Sequence, residues 1–250
     1  MPRKDTAVMS APPAAPEMSR DASLFDALLH KIPTRDARVA VMGLGYVGLP
    51  LIRLFGSKGF RVIACDIDQA KIDSLNRGRS YIWSVPSSAI AKYLANKQLL
   101  ATSDFRNLAS ADAIFVCVPT PLTVEGKPDV SAIRQTAKAI GATLRRGQLI
   151  ILESTSYPGT TREVMLPELE RRGLKCGRDF FLAFSPERED PGNKDFTMEQ
   201  IPKVVGGIDA LSRRAAAALY GEVVTRVVEV SSCEAAEDRS VADATRFPCL

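Results

Sequence analysis

Gly43-Leu44-Gly45-Tyr46-Val47-Gly48 sets three glycines at the spacing G-x-G-x-x-G. That spacing suits a pyrophosphate. Gly43 permits a tight turn, Gly45 lets the backbone approach the phosphates, and Gly48 lets a helix pack closely on a strand. Asp66 lies 18 residues beyond Gly48, at the end of the next apolar run. A carboxylate there accepts hydrogen bonds from the adenosine ribose hydroxyls and repels a 2′-phosphate. Asp68 adds to that repulsion, so the pattern favours NAD over NADP. The bland alternative is a glycine turn without a ligand and an aspartate that caps the following helix. Three more polar segments follow apolar runs: Val116 to Pro121, Glu153 to Gly159, and Ser185 to Gly192. Their hydroxyls and carboxylates suit polar ligand contact and general acid–base work, although Pro, Ser and Gly are also ordinary turn residues.

These residues need a scaffold that presents strand ends. RVAVMG (38–43), RVIACD (61–66), DAIFVCV (112–118), QLIILES (148–154), FFLAFS (180–185), KVVGG (203–207) and RVVEVS (226–231) are short apolar runs without alternation. Such runs mark strands buried on both faces. Helical patterns separate them, near 68–77, 87–97 and 130–144. Another follows Thr160, where Thr160 and Glu163 have capping-box spacing, and one runs from Asp209 to Leu219. Strands alternating with helices predict a doubly wound α/β fold with a mostly parallel, Rossmann-type sheet.

Residues 1–22 are rich in Pro, Ala and Ser and predict a disordered stretch. Residues 23–32 predict a short amphipathic helix with Leu24, Phe25, Leu28, Leu29 and Ile32 on one face and His30 off it. The expected organisation is therefore an N-terminal extension (1–36), a dinucleotide-binding domain (37–237) and a divergent tail (238–250).

Composition excludes several classes. The chain has 250 residues, 46% hydrophobic and 25% charged, with a net charge of +4. That balance gives no nucleic-acid or membrane surface. A single histidine argues against a His-based triad or zinc site. Five cysteines without a CxxC pair read as reduced, cytoplasmic usage. No stretch reaches the ~18–20 apolar residues of a membrane span, and no clean leader is expected because Asp26 interrupts SLFDALL.

Together, GLGYVGLP, the Asp66 strand end, CVPTPL, ESTSYPGTT and SPEREDPGNKDF resemble the UDP-glucose/GDP-mannose dehydrogenase family of nucleotide-sugar dehydrogenases. ESTSYPGTT with SPEREDPGN is most similar to its UDP-N-acetylglucosamine 6-dehydrogenases. The resemblance implies oxidation of a UDP-sugar C6 alcohol to a carboxylate with two NAD⁺ reduced, in polysaccharide biosynthesis. By position it assigns Gly43, Leu44, Gly45, Tyr46, Val47, Gly48, Asp66 and Lys71 to the adenosine and pyrophosphate. It assigns Val116 to Thr120, and within them Val118, Pro119 and Thr120, with Ser154 and Thr155, to the nicotinamide side. Thr155 would orient a catalytic water and Glu187 would act in acid–base chemistry. A second family glutamate is replaced by Pro191.

The family also has a central helix at which it commonly forms homodimers, then a second domain carrying a nucleophilic Cys in a GGxC segment. VSSCEAAE (230–237) fits the start of that helix, and DRSVADATRFPCL departs from it. Neither Cys233 nor Cys249 lies in a glycine-rich loop. The sequence therefore predicts the NAD-binding half of such an enzyme, left by truncation or frameshift and inactive alone. A free-standing NAD-binding module is the rival reading, and a two-electron dehydrogenase completed by a partner chain is a weaker one.

Overall fold

The computed structural model describes residues 20–124, 126, 128–186 and 199–244. Among these, eight strands form one sheet: β1 (Arg38–Met42), β2 (Arg61–Cys65), β3 (Leu99–Thr102), β4 (Ala113–Val116), β5 (Leu149–Leu152), β6 (Phe181–Phe184), β7 (Lys203–Gly207) and β8 (Val227–Glu229). Their order is β3-β2-β1-β4-β5-β6-β7-β8. The first six are mutually parallel, with Val39 opposite both Val62 and Ala113 and with Ile150 opposite Leu182. The order reverses between β1 and β4, so a crevice opens at the carboxyl ends of these two neighbours. β7 runs antiparallel to β6, and β8 runs parallel to β7. The expected doubly wound, mostly parallel sheet is therefore present, with a reversed pair of strands at one edge.

Helices cover both faces because every strand in the centre is apolar on both sides. One face carries α1 (Arg20–Lys31), α2 (Gly48–Ser57), α3 (Gln69–Asn76), α4 (Ser87–Ala95) and α7 (Ala210–Gly221). The other carries a 3-10 turn (Phe105–Ser110), α5 (Ser131–Thr143), a π-helical turn (Thr161–Met165), α6 (Leu166–Glu170) and α8 (Cys233–Ala244). On the first face a row of rings, Phe60, Phe55, Phe115 and Tyr220, joins α2 to β4 and α7 at centroid separations of 5.5, 5.0 and 5.7 Å. Pairs at such separations add about 0.5–1.5 kcal/mol each beyond their buried area.

α1, which the sequence assigns to the N-terminal extension, packs into this core through Phe25, Leu28 and Ile32. Phe25 meets Phe181 edge-on, and Lys31 reaches Asp112 at 2.9 Å. His30 is exposed, as its place off the apolar face predicts. No described helix is long and apolar enough to cross a membrane.

Four details differ from the sequence expectations. β3 was not expected: it is four residues long, follows a helix directly and leaves Leu100 exposed. Nor was the 3-10 turn, which Asp104 caps through the Arg106 N–H. The capping box does not form, because Thr160 is itself helical and its hydroxyl donates to the Tyr157 carbonyl at 2.7 Å. The helix beginning at Cys233 continues to Ala244, through residues read as a departure.

Candidate functional site

The glycine segment links β1 to α2 at the order reversal. Gly43 has φ +89°, and a Cβ there would sit 2.4 Å from the Cys117 carbonyl oxygen. At Gly48 a Cβ would sit 1.9 Å from the Gly43 carbonyl oxygen. Both glycines are required by the fold of the turn. Gly45 differs, because a Cβ there meets nothing within 4 Å among the described residues. The open space lies above the turn, where a phosphate would approach the backbone. α2 opens without a side-chain cap. Its positive dipole end therefore faces the same space with no acidic residue in its own first turn.

Asp66 follows β2 and closes the turn from the side. Its Oδ2 accepts the Leu44 N–H at 2.7 Å, and its Oδ1 accepts the Asp68 N–H at 2.9 Å. Lys71, on α3, donates to Oδ2 at 3.0 Å. Burial alone would raise the Asp66 carboxyl. The Asp68 and Leu44 N–H groups and the Lys71 ammonium outweigh it and hold the group below its ordinary value. Asp66 is thus an ionised acceptor at neutral pH. Asp68 caps α3 by accepting the Ala70 N–H. The capping role weighed for an aspartate therefore belongs to Asp68, which leaves Asp66 to the turn. Tyr81 donates its hydroxyl to the Leu44 carbonyl at 2.8 Å and buttresses the loop. Sequence reasoning missed Tyr81, since nothing in its local pattern signals a partner 37 residues away.

The remaining predicted residues stand at the ends of β4 and β5. Val118 and Thr120 are half-buried and Pro119 is exposed. Ser154 is buried, and its N–H and hydroxyl both reach the Val116 carbonyl, at 3.1 and 3.3 Å. Thr155 is exposed between the buried Ser154 and Ser156. The structure therefore brings Gly43 to Gly48, Asp66 and Lys71 into one bonded group and sets the Val118–Thr120 and Ser154–Thr155 segments side by side. Glu187, with Glu189 and Pro191, lies outside the described residues.

Two buried groups behind the β5 end were also missed. Glu153 pairs with Lys203 at 3.1 Å and accepts the Tyr220 hydroxyl, and all three are almost wholly buried. Burial, the Glu153 charge and the hydrogen bond to Glu153 push the Tyr220 hydroxyl far up, so it stays a donor. Glu237, on α8, accepts the Gly159 N–H at 2.6 Å and the Thr161 N–H and hydroxyl at 2.8 and 2.6 Å. No sequence spacing announces contacts between strands or across 76 residues.

Three of the described thiols show the opposite of activation. Burial, with Asp104 and Asp66 adding, pushes Cys65 up to about 12. Burial, with Asp209 adding, pushes Cys176 up to about 12. Cys233 is buried and raised further, with Glu237 adding, and its Sγ lies 3.6 Å from the Gly206 carbonyl. Among the described residues no group of three His, Cys, Asp or Glu side chains could hold a metal.

Comparisons with known proteins agree with this geometry. Residues 37–224 match the model of the UDP-glucose/GDP-mannose dehydrogenase family, NAD binding domain. Protein CapL of Staphylococcus aureus is 38% identical over 210 residues, covering 83% of this chain and 48% of that protein. UDP-N-acetyl-D-glucosamine 6-dehydrogenase of Pseudomonas aeruginosa is 36% identical over 214 residues, covering 85% and 50%. Among solved structures, the UDP-D-ManNAc dehydrogenase of Pyrococcus horikoshii superposes with a TM-score of 0.79 at 32% identity, covering 84% of this chain and 50% of that one. The chain spans about half the length of the curated relatives it matches. An open cradle over Gly45, an uncapped helix start and an ionised Asp66 fit NAD, the cofactor of the matched domain. The chain belongs to the UDP-glucose/GDP-mannose dehydrogenase family and carries its NAD-binding domain.

Proposed function

We propose that these 250 residues are the cofactor-binding half of a UDP-N-acetylhexosamine 6-dehydrogenase. The observation that carries this reading is the juxtaposition of the Gly45 cradle and Asp66 at the order reversal of a family-matched sheet. Relatives named UDP-N-acetyl-D-glucosamine 6-dehydrogenase and UDP-N-acetyl-D-mannosamine dehydrogenase support the UDP-sugar class. The reaction takes a C6 alcohol and one water to a carboxylate, reduces two NAD⁺ to two NADH and releases three protons. Bound NAD⁺ supplies the hydride acceptor. The chain's own residues have other tasks. Gly43 to Gly48 and α2 seat the pyrophosphate, Asp66 with Lys71 takes the adenosine ribose, and Val118, Pro119, Thr120 and Ser154 line the nicotinamide side. Thr155, exposed on its turn, orients the water, and Glu187 moves a proton.

The second oxidation needs a thiolate to hold the aldehyde as a thiohemiacetal that can donate hydride. Cys65, Cys176 and Cys233 are raised by burial and stay protonated at neutral pH. None of these three suits that task, and the 250 residues are expected to bind NAD⁺ without completing the reaction.

The test is NADH formed per UDP-N-acetylglucosamine with excess NAD⁺. The chain alone is expected to give background only. Joined to the second half of the Pseudomonas aeruginosa relative, it is expected to give two NADH per sugar. A joined protein that binds NAD⁺ yet forms no NADH would contradict the enzymatic reading and leave a binding module.

A further inference from the structure

The turn that presents Thr155 is fastened at both ends. At its front, Ser154 bonds back to the Val116 carbonyl through its N–H and hydroxyl. At its rear, the Glu237 carboxylate takes three donors, the Gly159 N–H and the Thr161 N–H and hydroxyl. Between them the Ser156 hydroxyl is buried with no hydrogen-bond partner among the described residues, so no side-chain bond of Ser156 to them anchors the centre. Gly159 has φ +98°, which turns its N–H toward α8. A second contact parallels the first: Arg162 pairs with Glu234, one helical turn before Glu237, at 2.7 Å. Glu237 is fully buried, and burial pushes its carboxyl above its ordinary value although its three donors favour the charged form.

We infer that Glu237 is a positioning residue: it clasps the β5 turn from behind and fixes where Thr155 and Ser154 stand over the nicotinamide half of the cofactor site. The inference rests on the cofactor reading above and adds to it a residue beyond the stretch that the family model matches, residues 37–224. It also gives α8 a task, since among the described residues Glu237 and Glu234 bond the helix to this turn and the residues just after it. Among the described residues the Gly43–Gly48 turn and Asp66 make no bond to α8, so the adenosine half of the site should be indifferent to the clasp.

That separation supplies the test. Calorimetric titrations with NAD⁺ and with ADP are compared for the 250-residue chain and for Glu237→Gln. The amide keeps one acceptor for Thr161 and turns an NH₂ toward the Gly159 N–H or Thr161, opening the turn. The expected result is a loss of roughly tenfold in NAD⁺ affinity, with ADP affinity changed less than about twofold. Thr161→Val removes one of the three donors at similar volume. It should weaken NAD⁺ about threefold, again without moving ADP. It carries the test if Glu237→Gln lacks a cooperative melt.

Equal weakening of both ligands would show a merely structural role and overturn the inference. Unchanged NAD⁺ affinity in both variants would overturn it too. An unsubstituted chain that binds neither ligand would contradict the cofactor reading itself, an outcome distinct from a clasp that binds both and does not discriminate.

Discussion

Gly45 and Gly48 stand three residues apart in one turn and should respond oppositely to the same substitution. A methyl at Gly45 enters open space, and its φ is not in the left-handed region. Gly45→Ala should therefore leave stability within about 0.5 kcal/mol, or raise it slightly through the unfolded chain. It should nonetheless cost at least roughly tenfold in NAD⁺ affinity, because the methyl occupies the phosphate's approach. At Gly48 the same methyl would strike the Gly43 carbonyl, so Gly48→Ala should destabilise the fold by about 3 kcal/mol or more. Thermal melts and NAD⁺ titrations of the two variants check both halves. Asp66 gives a pH dependence of known sign. Its folded value lies below the ordinary ~3.9, so its stabilising contribution is complete above that value and is lost as pH falls through the lower folded one. The melting temperature should show no Asp66-dependent change from about pH 9 to 5, and Asp66→Asn should remove a decline that begins below about pH 4. At this scale the sequence was readable where local geometry follows spacing, as it does for the turn glycines Gly43 and Gly48. It was silent on Tyr81, whose hydroxyl meets the Leu44 carbonyl only after the chain folds back.

Between elements, buried polar groups tie strand ends to helices. Glu153 at the end of β5, Lys203 at the start of β7 and Tyr220 near the end of α7 form one such knot. Lys203→Met removes the ammonium that faces a fully buried carboxylate. Breaking one partner of such a pair costs about 3–5 kcal/mol, a melting-temperature drop of roughly 6–20 °C in a chain of this size. A drop within about 2 °C would show that Glu153 is accommodated without Lys203. At the opposite end of the sheet, Asp179 takes Arg178, Arg146 and the Lys175 N–H groups. Those contacts hold it at about 2. Its contribution is present above the ordinary carboxylate value and disappears as pH falls toward the folded one. Asp179→Asn should therefore flatten the acid limb of stability between about pH 4 and 2, read by circular dichroism. Most elements were legible because central strands of Val, Ile, Leu and Phe need no partner information to be recognised. The capping box failed because a local pattern cannot report that Thr160 is already helical and that Glu237 arrives from α8 to take the neighbouring N–H groups. β3 was missed because an edge strand of four residues carries too little pattern to compete with the helix before it.

For the whole molecule, the alternation of strands and helices predicted the doubly wound sheet, and strand order then places the crevice between β1 and β4. The reversal of β7 was not legible, since Lys203 to Gly207 reads equally well in either direction. The central claim is that this crevice is an NAD site selected by Asp66. Its most direct test is a calorimetric titration of the 250-residue chain with NADH and with NADPH, repeated for Asp66→Asn. One NADH site per chain is predicted, with NADPH weaker by at least roughly tenfold, because the Asp66 and Asp68 carboxylates oppose a 2′-phosphate. Asp66→Asn should weaken NADH and narrow that preference. No saturable NADH binding, or equal affinity for the two cofactors unaffected by Asp66→Asn, would contradict the account.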